Sequence, residues 1–221
     1  MSCKTCDSCD GITIDIINKC TSLVAKRNSG KSVLLKHLVN SQKDAFRKIF
    51  VICPTESINN FYKEIVPTSC IFDEWKEAWT ESLITKMSQI NAGKAMKDRD
   101  QILLILDDVM SDMNTHSPAL KKIFTRGRHC GIAIISTCQY LYQLPPICRN
   151  NADYCIVGQM NRMSIQLLAD EYLSGDLERK EFINLFNRST RDYHFLVINC
   201  NSIKDNDDLN EIYGVIKAPI E

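Results

Sequence analysis

The sequence predicts an α/β fold, a doubly wound, mainly parallel sheet flanked by helices on both faces. Two observations carry this prediction. Continuous apolar runs of strand length recur along the 221 residues, and segments with apolar residues at helical spacing separate them. Strands that are apolar throughout are typical of a parallel sheet, because its helical crossovers bury both faces. The length suits one domain with short appendages, and no internal repeat or linker divides it.

The predicted elements follow one another in a regular order. The first strand, TSLVA at 21–25, leads into a helix over 31–46, whose apolar residues recur at helical spacing. The second strand, KIFVICP at 48–54, is stopped by Pro54. Further strands are predicted at 102–106, 131–136, 153–159 and 193–200, further helices at 73–92, 117–126, 161–173 and 178–187, and only a weak pattern at 206–218.

Composition and charge exclude several classes of protein. The chain is 44% apolar and 24% charged, and no run approaches the roughly 18 apolar residues of a membrane span. Its start also lacks the apolar stretch of a secretory signal. The 27 basic residues equal the 27 acidic ones, so nucleic-acid binding would need a local basic patch. The segment KKIFTRGRH at 121–129 is such a patch, although a solvated helix end explains it equally well.

The cysteines indicate a reducing compartment. The chain has 11 of them, and most lie in apolar strand-like runs, as Cys53, Cys155 and Cys200 do. In such runs a cysteine behaves as a small hydrophobic residue, and a disulfide framework is not indicated. We therefore expect a cytosolic protein.

The segment AKRNSGKS at 25–32, which we call the phosphate loop, lies between the first strand and the first helix. It nearly matches the phosphate-binding pattern G-x-x-x-x-G-K-S/T. Gly30 would let the backbone approach a phosphate, Lys31 would reach the β- and γ-phosphate oxygens, and Ser32 would hold Mg²⁺. Backbone N–H groups, including those of Asn28 and Ser29, would complete the anion cradle.

Ala25 stands where the pattern has glycine. If the backbone there needs a positive φ, alanine costs about 1 kcal/mol. A chance match in an ordinary strand–helix turn is the alternative explanation of the whole loop. The context opposes that alternative, because a second partial motif follows in the expected order.

That second motif is ILLILDD at 102–108, a buried strand that ends in two acids. Asp107 is placed to organise Mg²⁺, and Asp108 to polarise an attacking water. A helix N-cap after a strand is the ordinary alternative for such acids. Gln139 follows the next predicted strand and could face the same crevice to sense a γ-phosphate, although by itself it is better explained as the start of a loop.

These motifs together carry a resemblance. The segments AKRNSGKS, ILLILDD, RGRHCGIAIISTCQ and LPPICRNNADYCIVG resemble the FtsK–HerA superfamily of P-loop ATPases. Within it, the likeness is strongest to the genome-packaging ATPases of nucleocytoplasmic large DNA viruses. It covers roughly residues 20–200 and keeps the order and spacing of the motifs.

The resemblance implies a fold and a set of roles. The sheet would carry an additional strand between the phosphate-loop strand and the acid strand. Lys31 and Ser32 would serve the phosphates and Mg²⁺, Asp107 and Asp108 would be the acidic pair, and Gln139 would be the sensor. Ala25 departs from the usual glycine of the family, and we expect this departure to affect nucleotide affinity more than function.

The same resemblance implies the domains, the activity and the partners. Residues 20–204 would form the P-loop ATPase domain, 1–19 a cysteine-containing extension and 205–221 a C-terminal tail. The protein would use ATP and Mg²⁺ to translocate double-stranded DNA as a homo-oligomeric ring that packages a viral genome into a capsid. Capsid or viral membrane proteins would be further partners. It would act in the host cytoplasm, at the viral factory, and in the virion.

Ring ATPases place an arginine of one subunit at the γ-phosphate of its neighbour. By resemblance, Arg128 and Arg149 are the first candidates for this role, followed by Arg126.

The N-terminal CKTCDSC contains Cys3, Cys6 and Cys9 at a spacing that suits zinc. A fourth ligand could be Cys20 or come from a neighbouring chain. Thr13 stands where an iron–sulfur run would need cysteine, which excludes that cluster. Free thiols on a frayed terminus are the alternative.

Three other functions stay open. Arg27 gives R-x-x-G-K-S, which also resembles terminase-like packaging ATPases, although no C-terminal acidic nuclease cluster is apparent. A GTP-binding switch would need an N-K-x-D motif after the acid strand, and none follows. A non-enzymatic interaction module would not need its phosphate-loop lysine, serine and acids to be intact.

Overall fold

The computed structural model describes residues 14–110, 116–174, 177–203 and 208–219. The strands are β1 (Cys20–Val24), β2 (Lys48–Ile52), β3 (Ile71–Phe72), β4 (Ile102–Asp107), β5 (Ile132–Cys138), β6 (Tyr154–Val157), β7 (His194–Asn199) and β8 (Tyr213–Lys217). The α-helices are α1 (Lys31–Gln42), α2 (Glu56–Asn59), α3 (Glu77–Ile90), α4 (Pro118–Arg126), α5 (Pro146–Arg149), α6 (Arg162–Tyr172), α7 (Arg179–Ser189) and α8 (Leu209–Ile212). None of the helices in these ranges is both long and apolar enough to span a bilayer.

All eight strands belong to one sheet, in the order β3-β2-β4-β5-β1-β6-β7-β8. From β3 to β6 every neighbouring pair is parallel. The predicted α/β fold with a mainly parallel sheet is therefore confirmed. The strand β5 lies between β1 and β4, which is the additional strand that the resemblance implied.

The strands β7 and β8 run antiparallel to their preceding neighbours, which the sequence analysis did not predict. The reason is the connection between β6 and β7. Two helices, α6 and α7, separate these strands and pack on the same face of the sheet. The chain therefore runs to the far edge and back, and β7 starts at the edge where β6 ended. The two-residue β3 was also not predicted, and β8 lies within the segment 205–221 that was assigned to a tail.

The sheet has an apolar core on each face. Along β4 the side chains alternate, because Ile102, Leu104 and Leu106 join one core and Leu103 and Ile105 join the other. The first core packs against α3, α4, α6 and α7, and the second packs against α1. This double coverage explains why the parallel strands are apolar throughout.

The topology collects several segments at one edge of the sheet, which we call the loop edge. The carboxyl ends of β1, β4, β5 and β6 lie there, and so does the start of β7, because β7 runs antiparallel to β6. The end of β8 returns to the same edge. The phosphate loop, both acids, Gln139 and residues 192–194 therefore meet at the loop edge.

Candidate nucleotide-binding site

The phosphate loop leaves β1 and enters α1 at Lys31. Gly30 has a φ of 85°, in the left-handed region that favours glycine. A Cβ on Gly30 would also lie 3.1 Å from the Cβ of Ala218 and 3.2 Å from Cδ1 of Tyr193. Both its conformation and its neighbours thus require glycine. Asn28 adopts a positive φ of 58°, which asparagine tolerates better than most residues.

Ala25 is accommodated without backbone strain. It is not among the residues with positive φ, so the penalty considered for alanine does not arise. Its side chain is fully buried. Gly158, just after β6, makes room for it, because a Cβ on Gly158 would lie only 2.9 Å from the Cβ of Ala25. The side chain that Ala25 adds to the loop is thus accommodated by a glycine just after the neighbouring strand.

A chain of polar contacts crosses the crevice between the phosphate loop and β5. The Nζ of Lys31 lies 2.9 Å from Oδ1 of Asp108. The other carboxylate oxygen of Asp108 accepts from Nε2 of Gln139 at 3.4 Å, and Oε1 of Gln139 accepts from Nε of Arg27 at 3.2 Å. Lys31 is 10% exposed at its side chain and Asp108 36%, so the pair sits at the mouth of the crevice.

Thr137 organises both acids. It faces Asp107 across the β4–β5 pair, and its hydroxyl donates to Oδ1 of Asp107. The same hydroxyl accepts from the backbone N–H of Asp108 at 3.2 Å. Asp108 has a φ of 51°, so the chain bends sharply as it leaves the strand. Within the described ranges neither acid caps a helix, and the next helix there, α4, has Ser117 as its N-cap.

The sequence comparison identifies the family. Residues 19–213 match the family described as Poxvirus A32 protein. The chain belongs to this family. Protein 088R of Invertebrate iridescent virus 3 is 26% identical over 204 residues, which cover 90% of this chain and 75% of that relative. The resemblance drawn from the motifs is confirmed at this level.

Solved structures agree with the fold of this A32-family chain. The genome packaging NTPase B204 from Sulfolobus turreted icosahedral virus 2, solved in complex with AMP, superposes with a TM-score of 0.66 at 20% identity. The match covers 94% of this chain and 100% of B204. ATPases 2 and 3 of EssC from Geobacillus thermodenitrificans match with a TM-score of 0.54 at 16% identity, over 90% of this chain and 39% of that one. The fold is that of a P-loop NTPase.

The residues predicted to hold Mg²⁺ fit that ion. Asp107 offers a carboxylate at the loop edge, and Ser32 offers an exposed hydroxyl in the first turn of α1. Mg²⁺ prefers oxygen ligands and usually combines one or two protein groups with waters and substrate phosphates. Among the described residues, no cluster of three or more His, Cys, Asp or Glu side chains could hold a metal. Phosphate and water oxygens would have to complete the coordination.

The candidate arginines of the A32-family chain lie away from its own crevice. Arg128 precedes β5 at the opposite edge of the sheet, where its Nη1 lies 4.0 Å from Oδ1 of the buried Asp153. Arg149 ends α5, and its Nε contacts both carboxylate oxygens of Glu171 at 2.9 and 2.7 Å. Its Nη1 also donates to the carbonyl of Leu144. Neither side chain could serve the phosphate loop of its own subunit.

The zinc hypothesis receives no support from the described residues. Cys3, Cys6 and Cys9 lie outside them. Cys20, considered as a fourth ligand, is buried on β1, where burial and the charge of Asp153 raise its thiol pKa to about 12. A zinc ligand must be a thiolate, so this environment opposes a role for Cys20.

Two groups at the site escaped the sequence analysis. Thr137 was not singled out, although a threonine two residues beyond Ile135 shares its face of the sheet and could have been placed beside Asp107. Arg27 was noted for its motif and not for its contact with Gln139. That contact depends on the fold of the loop, so spacing alone could not show it.

The packing of Ala25 gives a testable prediction. We expect Ala25→Gly to leave nucleotide turnover within a few-fold of the wild type and to lower the free energy of unfolding by about 1 kcal/mol, because it loses a buried methyl group and gains backbone freedom. Gly158→Ala should destabilise the protein by about 1–3 kcal/mol through overpacking. Steady-state turnover and denaturant unfolding would measure both. A hundredfold gain in turnover for Ala25→Gly would show instead that Ala25 severely limits the activity of the natural loop.

Proposed function

We propose that this chain binds ATP with Mg²⁺, hydrolyses it, and uses that energy to translocate double-stranded DNA during the packaging of a viral genome. The observation that carries the proposal is the Lys31–Asp108–Gln139 chain of contacts at the loop edge. A phosphate-binding lysine, a water-activating acid and a sensor amide there converge on one place. That arrangement is expected of γ-phosphate cleavage and not of a passive fold.

The geometry indicates the order of events. Lys31 is paired with Asp108. When phosphate oxygens enter the loop they compete for the ammonium group of Lys31, and Asp108 is released to accept a proton from water. Gln139 is hydrogen-bonded to Asp108. A movement of the Asp108 carboxylate can therefore move Gln139 and the segment that follows β5. Bound Mg²⁺ would neutralise phosphate charge, with Asp107 held in place for it by Thr137.

A local basic surface supports the DNA partner. Lys121, Arg126 and His129 are exposed on α4 and the turn that follows it. The net charge of the whole chain is zero, so this surface is a concentration of positive charge and not a general property. Contacts to DNA phosphates are made by such residues and weaken steeply with salt.

The relatives support the biological setting. B204 carries the description of a genome packaging NTPase, and a related structure is described as a DNA-packaging ATPase. By analogy we place this chain in a homo-oligomeric ring that engages a capsid or a viral membrane protein, in the host cytoplasm at the viral factory and in the virion. The ATP-binding domain would span 20–204 together with β8, which belongs to the same sheet.

The test is ATP hydrolysis by the purified protein with and without double-stranded DNA. We expect hydrolysis that DNA stimulates, and we expect Lys31→Ala to abolish it while circular dichroism shows the fold intact, because the lysine contacts the phosphates. Lys36→Ala, one turn further along α1, is the matched control and should keep its turnover. A Lys31→Ala protein with wild-type turnover would refute the assignment of the phosphate loop. Hydrolysis that DNA never affects would refute the translocase.

One alternative shares the same chemistry. Arg27 contacts Gln139, so the arginine of the R-x-x-G-K-S segment faces the crevice. This contact favours a terminase-like packaging ATPase without nuclease as the second candidate. GTP-dependent turnover in the same assay would favour the GTP-binding switch, and an inert protein would favour a binding module.

A further inference from the structure

A cavity of about 440 Å³ lies beside the phosphate loop, on the side away from the acids. Its walls are residues 26–29 of the loop, Gln159 after β6, and residues 192–194 before β7. Its volume falls within the range of small-molecule sites. None of the residues in this wall was singled out as a base contact by the sequence motifs.

The topology sets the direction in which a nucleotide must extend. The acids and Gln139 follow β4 and β5, on one side of β1 in the sheet order. If the γ-phosphate ends there, the remainder of the nucleotide leaves the phosphate loop on the other side, toward β6 and β7. The cavity occupies that side.

Tyr193 presents an aromatic ring to this cavity from a strained turn. Tyr193 is 61% exposed, so a ligand in the cavity could reach its ring. Asp192 and Tyr193 have φ values of 50° and 62°, so two successive residues other than glycine adopt the left-handed conformation. Such strain persists where the surrounding structure enforces it, and it is concentrated at functional sites.

The surroundings of this turn do enforce it. The carbonyl of Tyr193 accepts from the backbone N–H of Ala218 at 2.9 Å, so the end of β8 supports the turn. Nδ1 of His194 lies 2.8 Å from the carbonyl oxygen of Arg191 and 3.0 Å from that of Asp192. Cδ1 of Tyr193 lies 3.2 Å from the position that a Cβ on Gly30 would take, so one edge of the ring lies beside the phosphate loop. The backbone that carries the Tyr193 ring is therefore supported from both sides of the turn.

We propose that Tyr193 is the stacking platform for the purine base of the nucleotide, with Gln159 and Asp192 as the polar groups available to the base edge and the ribose. This inference rests on the proposed function, because it concerns the same nucleotide. Base–aromatic stacking needs an exposed ring beside the phosphate loop, and this supported turn supplies one. It also gives β8 a part in nucleotide binding, since Ala218 holds the turn.

The test separates the base from the phosphates. Calorimetry would measure the binding of Mg·ATP and of Mg·tripolyphosphate to the wild type, Tyr193→Ala, Tyr193→Phe and the control Tyr142→Ala, another exposed tyrosine. We expect Tyr193→Ala to weaken ATP binding about tenfold or more, since one stacked base contributes about that much. Tripolyphosphate binding should be unchanged, because the phosphate loop is intact. Tyr193→Phe keeps the ring and should bind ATP as the wild type does, and so should Tyr142→Ala.

Any other outcome would contradict either the stacking role of Tyr193 or the proposed function. Equal loss of ATP and tripolyphosphate binding in Tyr193→Ala would mean that the ring only supports Gly30, which overturns the proposal. Unchanged ATP binding in Tyr193→Ala would overturn it as well. If the wild-type protein binds tripolyphosphate but gains nothing from the nucleoside, the cavity is not a base site. A wild type that binds neither ligand would refute the proposed function itself.

Discussion

Asp108→Asn is expected to bind ATP at least as tightly as the wild type and to hydrolyse it about 10²–10⁴ times more slowly, the range expected when a general base is lost. The carboxylate of Asp108 is the acid that contacts Lys31, at 2.9 Å. Asparagine keeps the shape of the side chain but cannot accept the proton of an attacking water. In this variant Lys31 has no ion pair with residue 108 that must be broken when phosphate binds, so ATP affinity should not fall.

The measurement is a titration with Mg·ATP together with single-turnover hydrolysis, so that binding and chemistry are separated. Asp170→Asn is a matched control, because Asp170 forms an ion pair with Arg179 on the surface of α6 and α7. It should leave both quantities unchanged. Asp107→Asn should instead raise the Mg²⁺ concentration needed for half-maximal turnover. If Asp108→Asn turns over normally but binds ATP poorly, the roles of the two acids are exchanged.

The sequence predicted the sheet well where the chain alternates one strand with one helix. Each such crossover returns the chain to the same starting edge, so the apolar runs that end in Val24, Asp107 and Cys138 had to be parallel. The last strands were harder to predict. An apolar run such as that of β7 has the same composition in either direction, and only the presence of two helices before it reverses the strand.

The motifs placed the phosphate side of the candidate site but not the cavity beside it. Lys31, Asp108 and Gln139 follow strands and carry polar groups, so each could be assigned to the loop edge from the sequence. Tyr193 could not be, because its importance depends on a left-handed backbone and on contacts with Gly30 and Ala218. These residues are far apart in the chain, and no local spacing relates them.

The roles of the candidate arginines also depend on where the fold places them, which the sequence alone does not show. Arg128 and Arg149 lie near the motif strands in sequence, yet the structure places both outside the crevice of their own subunit. Arg128 has a side chain that is 52% exposed and only a distant ion pair. Arg149 is 11% exposed and is held by Glu171. We therefore expect Arg128 to be the more available of the two to a neighbouring subunit.

We expect Arg128→Ala to bind ATP normally and to lose DNA-stimulated hydrolysis by a factor on the order of 10³ or more, as an arginine that acts at a neighbouring γ-phosphate would. Arg179→Ala is the matched control, because its side chain is 48% exposed and pairs with a surface carboxylate. Arg149→Ala should be tested beside them with thermal unfolding. Loss of its contact with Glu171 would lower stability, and a fall in turnover caused by unfolding must be distinguished from a catalytic effect.

Mixing two inactive proteins tests whether the site is shared between subunits. Lys31→Ala protein supplies an intact arginine but no working phosphate loop, and Arg128→Ala protein supplies the reverse. If the arginine acts across the interface, a mixed ring contains junctions where an intact loop meets an intact arginine, and DNA-stimulated hydrolysis should reappear. Its dependence on the mixing ratio should peak at an intermediate composition, because such junctions require both proteins. If neither arginine variant loses turnover, or if no mixture is more active than its components, the ring with shared active sites is refuted and each subunit must hydrolyse ATP with its own residues alone.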